Sequence, residues 1–266
     1  MSATTNTPLR LTFIGSGQVA THLSLALTAA GHQVQVIYSR QLAHATQLAA
    51  QLEKAIPTTS LDFREQPTTD LYIVSVSDAA VAEVVKKAYF PAGSCVVHTS
   101  GSLPYTILQR NDLQLQVGVF YPVQTFSRNQ PVNFAEIPFA LEAPNPALAT
   151  QLQYLARSIS NKVIFMTGLE RKQLHLAAVF ACNFTNHLLG ISQEILTKHK
   201  LPPDLLGPLI QTTIQKATQN NPFTVQTGPA VRGDANIIEE HLQLLVAQPI
   251  YKQIYQLLSQ SIQDKR

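Results

Sequence analysis

Apolar and polar positions follow two rhythms along the chain, and the change between them divides it. The first part alternates short apolar runs with longer periodic stretches. Leu11-Thr12-Phe13-Ile14, residues 34–38, 71–76, 95–98, 117–120, 139–141 and 163–165 read as strands. The run at 71–76 is apolar throughout, as a parallel strand buried on both faces requires. Stretches over 19–30, 42–54, 79–87 and 147–159 have helical spacing, with Leu23 and Leu27 on one face of the first and Gly31 at its end. Strands alternating with helices predict a doubly wound, mostly parallel α/β sheet. From Glu170 onward the pattern is helical, over 171–198, 205–219, 237–247 and 250–263. Pro202-Pro203, Pro222, Pro229 and Pro249 punctuate it. The expected organisation is an α/β domain over 1–167 followed by an all-α domain over 168–266.

Composition narrows the partners. Charged residues are 13% of 266 and the net charge is +3, a mild excess. The densest basic stretches are Lys86-Lys87 and Lys265-Arg266, too sparse to track a phosphate backbone, so nucleic acid is not an expected partner. Cys95 and Cys182 each sit in an apolar run and read as buried small hydrophobes, which suggests a reducing compartment. The polar start MSATTNTPLR has no signal-peptide core. No uninterrupted apolar run reaches the roughly 18 residues of a membrane span. The expectation is a soluble cytoplasmic protein without a membrane role.

The sharpest signal is Gly15-Ser16-Gly17-Gln18-Val19-Ala20, a G-x-G-x-x-A sequence between an expected strand and an expected helix. Gly15 permits the tight turn, Gly17 lets a pyrophosphate approach the backbone, and the small Ala20 lets the helix pack. The helix start then offers free N–H groups to phosphate. A Rossmann-type turn of this kind also serves FAD or S-adenosylmethionine. The second strand ends Ile37-Tyr38-Ser39-Arg40, without the acid that holds a ribose 2′-hydroxyl in NAD enzymes. Ser39 and Arg40 suit a 2′-phosphate instead, so NADP is the expected cofactor, with NADPH preferred over NADH. The expected cofactor contacts are Gly15, Ser16, Gly17, Gln18, Val19, Ser39, Arg40, Val76, Ser77 and Thr99.

Ligands in such sheets lie beyond the carboxyl ends of the strands, which brings in three loops. In the first, Asp78 reads as a helix N-cap. The second, His98-Thr99-Ser100-Gly101-Ser102, offers His98 as a proton donor or a strand-end cap, and Ser100 as a hydrogen-bonding group. The third supplies Tyr121, either a proton donor or packing. In the helical half, His175, Asn183 and His187 share a stripe at spacings of eight and four, and fit a site, a core network or a subunit contact equally. The segment Thr227-Gly228-Pro229-Ala230-Val231-Arg232-Gly233-Asp234 offers Arg232 for a substrate carboxylate, or an Arg232–Asp234 pair that fixes the loop. No metal motif is present.

These residues together resemble a bacterial NADP oxidoreductase family in which a Rossmann-like domain precedes a helical domain of unknown function. The resemblance covers nearly the whole chain. It rests on Gly15 to Ala20, Tyr38-Ser39-Arg40, His98-Thr99-Ser100-Gly101, Tyr121-Pro122-Val123-Gln124-Thr125-Phe126, His175 to Asn183, and Thr227 to Asp234. More distantly the chain is similar to pyrroline-5-carboxylate reductases and to 3-hydroxyacid and 6-phosphogluconate dehydrogenases. The hydroxyacid enzymes place a catalytic Lys four residues before an Asn. Asn183 fits that Asn, but Val179 stands at the Lys position, so that lysine does not transfer. Many near relatives have His where this chain has Tyr121.

The resemblance implies an NADP-dependent oxidoreductase acting by hydride transfer on a small, carboxylate-bearing metabolite. It also implies a homodimer through the helical domain. The expected catalytic set is His175, Asn183, Ser100 and His98, with Tyr121, Arg232 and Thr227 binding substrate and no metal. The alternative is a non-catalytic NADP-binding sensor or scaffold.

Overall fold

The computed structural model describes residues 7–127, 130 and 132–265. The strands are β1 (Arg10–Ile14), β2 (Gln33–Tyr38), β3 (Ile56–Thr58), β4 (Leu71–Val74), β5 (Cys95–His98), β6 (Gln116–Pro122), β7 (Phe139–Glu142) and β8 (Val163–Phe165). They form one sheet in the order β3-β2-β1-β4-β5-β6-β7-β8. All pairs are parallel except β6 with β7. The first six strands follow the doubly wound order 3-2-1-4-5-6, as expected for a Rossmann-type sheet. The short β3, missed by the apolar pattern, is an edge strand with half-polar residues and a proline.

Four helices cover the sheet: α1 (Gln18–Ala29), α2 (Leu42–Ala49), α3 (Asp78–Lys87) and α4 (Pro146–Arg157). Strand side chains alternate between two apolar clusters, because successive residues face opposite sides of a sheet. Phe13, Leu71 and Ile73 join Leu23 and Leu27 of α1, Leu48 of α2 and Leu152 of α4. Ile14, Tyr72 and Val74 join Val81, Val84 and Val85 of α3. Each fully buried leucine contributes about 1.5–3 kcal/mol, so the α/β part carries an ample core. Local signals set helix starts. Asn145 Oδ1 accepts from the Ala147 and Leu148 N–H groups at 2.9 and 3.0 Å, with Pro146 behind it in the first turn.

The helical part comprises α5 (Gly168–Ala178), α6 (Thr185–Lys198), α7 (Gly207–Gln219), the short α8 (Pro229–Arg232), α9 (Ala235–Leu244) and α10 (Pro249–Gln263). A π-helical stretch, Val179–Phe184, joins α5 to α6. α5 opens with a capping box between Thr167 and Glu170, the start signal at the end of the strand-rich half. The chain nevertheless divides into compact units at Cys182/Asn183, with α5 in the first.

The continuous run Gly168–Lys198 is, by length and composition alone, apolar enough to cross a membrane. Its polar interruptions break any uninterrupted apolar run, and only an average over the window reveals its apolarity. Cys182, expected to be buried, is exposed within this run, and Cys95 is half-buried; both are free thiols. Leu176, Phe180, Phe184, Leu188 and Leu189 are exposed beside it.

Candidate functional site

The chain reverses direction in the sheet between β1 and β4, its topological switch point. There Gly15 takes φ of +130°, a conformation side chains rarely adopt, and its N–H donates to the Tyr38 carbonyl at 2.9 Å. A Cβ on Gly15 would stand 2.5 Å from the Ser75 carbonyl oxygen, so the turn is pressed against the end of β4. Gly17 is the N-cap of α1, and no side chain caps this helix end. A Cβ on Gly17 would meet no protein atom within 4 Å, which keeps that space clear for a ligand approaching the backbone. Free N–H groups at an open glycine turn are an anion cradle, and the residues fit a dinucleotide pyrophosphate.

A cleft of about 590 Å³ runs from this turn. Its walls include Gly15, Ser16, Gly17, Gln18, Ser39, Arg40, Val76 and Ser77. Val19 and Thr99, also expected as contacts, are not among its walls; the Thr99 N–H donates to the Val74 carbonyl and its hydroxyl to Ser75 Oγ. Gln41, His44 and Ser75 line the cleft and were missed by sequence reasoning. His44 lies one turn beyond Arg40 at the start of α2, so its spacing was the available signal. At the end of β2 the cleft holds the exposed Arg40 beside Ser39, whose backbone N–H is committed to the Thr58 carbonyl at 3.1 Å.

Further along the carboxyl edge, β5 and β6 bring a second group together. Tyr121, near the end of β6, lies with its hydroxyl 3.5 Å from His175 Nδ1 on α5. The rings meet edge to face at 6.3 Å. Gly101, in the loop after β5, makes this possible: a Cβ there would stand 2.8 Å from the Tyr121 ring and 2.9 Å from His175 Nδ1. Burial pushes the Tyr121 hydroxyl above its ordinary pKa, and the Asp78 and Cys182 side chains push the same way against the Arg171 cation. Tyr121 is therefore an uncharged hydroxyl at neutral pH and stands as a hydrogen-bond donor.

Two expected catalytic residues serve the loop instead. His98 has 0% exposure and accepts the Ser100 N–H at Nδ1, 3.1 Å away. Burial lowers its pKa to about 4, with the Arg171 cation acting in the same direction and the Pro104 backbone and Asp78 opposing. A neutral imidazole closed off from solvent does not exchange protons with a substrate, so its place is that of a strand-end cap. Ser100 is 8% exposed. Its Oγ donates to Asp78 Oδ2 at 2.9 Å and accepts from the Ser102 and Leu103 N–H groups. That hydroxyl is spent on the turn, as is Ser102 Oγ on the same carboxylate at 2.6 Å. Asp78 is thus the first residue of α3, after the N-cap Ser77, and it anchors the neighbouring loop.

The second unit contains Asn183, His187, Thr227 and Arg232. Asn183 and His187 are exposed. The π turn at 179–184 takes an extra residue per turn, so the spacing from His175 to Asn183 does not define one α-helical stripe. Arg232 pairs with Asp234 at 2.7 Å across Gly233 (φ +74°), so the loop-fixing pair is present. Thr227 is exposed. Among the described residues no cluster of His, Cys, Asp and Glu is arranged to hold a metal ion.

Comparison with known proteins agrees with this layout. Residues 10–101 match the family described as "NADP oxidoreductase coenzyme F420-dependent", and residues 137–262 match a domain of unknown function, DUF2520. The Bacteroides fragilis protein BF3122, provisionally described as an NADP oxidoreductase, is 40% identical over 98% of this chain and all of its own, with a TM-score of 0.89. The chain belongs to this NADP oxidoreductase family. Outside such close relatives the fold persists. Protein TM1727 from Thermotoga maritima is 23% identical over 96% of this chain and 97% of its own, with a TM-score of 0.70. A reductive aminase from Aspergillus terreus, solved with NADPH and ethyl-5-oxohexanoate, is 14% identical over 97% of this chain and 93% of its own, at a TM-score of 0.70. No curated protein matches the chain. This chain and its close relative thus share one fold from end to end.

Proposed function

We propose that this family member is an NADPH-dependent reductase, with Tyr121 and His175 supplying the proton that accompanies hydride transfer. The observation that carries the reading is the Tyr121–His175 pair at the carboxyl edge of the sheet that also carries the Gly15 turn. The glycine turn would hold the pyrophosphate, and Ser39 and Arg40 the 2′-phosphate, which favours NADPH over NADH. The cofactor, when bound, supplies the hydride. Tyr121 gives its proton to the substrate atom opposite, and His175 in its protonated form returns one to the tyrosinate and is reloaded from solvent. A small carboxylate-bearing metabolite is the proposed substrate class, as in the hydroxyacid and pyrroline-5-carboxylate enzymes that the chain resembles.

A second copy of this chain is the proposed partner of the helical half. α7 and α10 bury none of their residues, and Leu209, Ile214, Ile250 and Leu257 are exposed. Helices with apolar faces this open need cover. Light scattering at micromolar concentration should report a dimer; a monomer would remove this part of the proposal.

The reaction is tested by NADPH consumption against a panel of small keto acids and their imines, with His175→Gln and Tyr121→Phe in parallel. Loss of about tenfold to a thousandfold in kcat for either variant, with NADPH binding intact, supports the reading. Tight NADPH binding with no turnover on any member would favour the non-catalytic sensor, which the Val179 position already suggests. Full activity in His175→Gln would remove the proton role.

A further inference from the structure

Arg171 is a charged residue with 0% exposure, deep in the first unit. Its guanidinium bonds the Glu142 carboxylate through one terminal nitrogen and the Leu103 carbonyl oxygen through the other. Glu142 also accepts the Gly168 N–H at 3.0 Å through its second oxygen. Three separate segments therefore meet on one side chain: the paired strands β6 and β7, the loop after β5, and the first turns of α5.

Those same three segments supply the members of the proton site. Tyr121 sits on β6, opposite Ala140 of β7, with Glu142 two residues further along β7. Gly101 lies two residues before Leu103. His175 follows Arg171 by four residues, one helical turn. We propose that Arg171, held by Glu142, is a positioning residue that fixes the spacing between Tyr121 and His175. The inference rests on the proposed reaction for its purpose, though not for its geometry.

The chemistry of the pair supports placement over stability. A buried ion pair gains little net stability, because desolvation offsets its attraction, and an apolar pair of similar volume often serves as well. A guanidinium, however, fixes directions through its planar fork in a way an apolar side chain cannot. The Tyr121–His175 contact at 3.5 Å is at the limit of a hydrogen bond, so a small drift of α5 abolishes it.

The test uses the intact chain described above and NADPH as the only added ligand. In Glu142→Gln/Arg171→Met the charges leave together, and the amide oxygen still accepts from Gly168. The readout is the histidine Cε1–H spectrum, with the His175 signal identified by His175→Gln. In the native background Tyr121→Phe should move that signal. In the double variant the signal should no longer respond to Tyr121→Phe, while NADPH affinity stays within about twofold. A folded, NADPH-binding double variant whose His175 signal still responds to Tyr121→Phe as in the native protein overturns the proposal. If the double variant does not fold, Arg171→Lys carries the same test, since an ammonium cannot reproduce the two-armed fork; retained coupling there overturns it equally. If His175→Gln keeps full turnover while the coupling depends on Arg171, the reaction assignment fails and the positioning role stands.

Discussion

Tyr121 Oη and His175 Nδ1 approach to 3.5 Å across a position that only glycine can occupy, because a Cβ on Gly101 would overlap both rings. The pair is thus built by an absence as much as by its members. Neither ring can be flanked by a larger residue in the loop after β5 without moving, and α5 is tied down one turn away by Arg171.

Gly101→Ala should therefore separate the pair while leaving the cofactor cleft alone. The added methyl stands under 3 Å from Tyr121 Cζ and His175 Nδ1, so one ring must swing aside. Overpacking of this kind costs about 1–3 kcal/mol of stability. Turnover on a substrate found for the native protein should fall by about tenfold to a hundredfold, because an ångström of misplacement is enough. NADPH affinity should stay unchanged in a fluorescence titration. A variant with native kcat would show that the contact is incidental.

Gly15→Ala tests the other glycine with a different expected pattern. Here the backbone is left-handed and the new Cβ meets the Ser75 carbonyl at 2.5 Å, where only backbone can yield. The strain should cost about 1–3 kcal/mol or more and push β1 from β4 at the switch point. NADPH affinity should drop by about tenfold or more, since the pyrophosphate turn is deformed. Urea unfolding and cofactor titration together check this; native affinity with native stability would argue against Gly15 as the cradle.

The contrast between those glycines shows what was legible beforehand. Gly15 and Gly17 sit in a local motif whose spacing carries its own meaning, and the strands and helices around them follow from apolar periodicity. Gly101 is an isolated glycine in a polar loop, and its role depends on Tyr121 and His175, residues brought to it by the sheet and by α5. Glu142 and Arg171 are likewise unremarkable in order, and 29 residues apart. His98 and Ser100 were readable as polar groups at a strand end, but not as buried ones, because burial there is decided by α3 and α5 packing over the loop. The π turn at 179–184 also escapes periodicity, which assumes a constant twist.

The buried His98 should make stability fall in mild acid. Its ordinary pKa of 6.5 is lowered to about 4 in the native state, first by burial and then by the Arg171 cation. Above about pH 6.5 both native and unfolded chains hold it neutral, and its contribution is complete. As pH falls from 6.5 toward 4 the unfolded chain takes up a proton that the native state refuses. Stability should then drop by roughly 1.4 kcal/mol per pH unit, up to about 3 kcal/mol in all. His32, lowered in the same direction by burial, adds to the slope. Urea unfolding at pH 7.5 and pH 5 should show the native protein losing more than His98→Asn, whose amide oxygen can replace Nδ1 as acceptor. Equal losses in the two proteins would mean that His98 is not held neutral.

The proposed preference for NADPH rests on the corner after β2, where Arg40 and Ser39 stand in place of an acid. A guanidinium meeting a dianionic 2′-phosphate makes a charge-assisted contact worth about 1.5–3 kcal/mol, roughly tenfold or more in affinity. The ribose 2′-hydroxyl of NADH offers no such partner. Titration by nicotinamide fluorescence should therefore show NADPH binding at least about tenfold tighter than NADH, and Arg40→Ala should remove most of that difference without weakening NADH. His44, on the same wall one turn further on, provides the control. If Arg40→Ala keeps the preference and His44→Ala loses it, the phosphate is held from α2 rather than from the end of β2. If wild type shows no preference, the absence of an acid after β2 does not select the cofactor, and Arg40 is only an exposed residue at a helix approach. Raising the salt concentration separates these cases further, since a contact carried by charge weakens with ionic strength while stacking and backbone bonds to the shared pyrophosphate change far less.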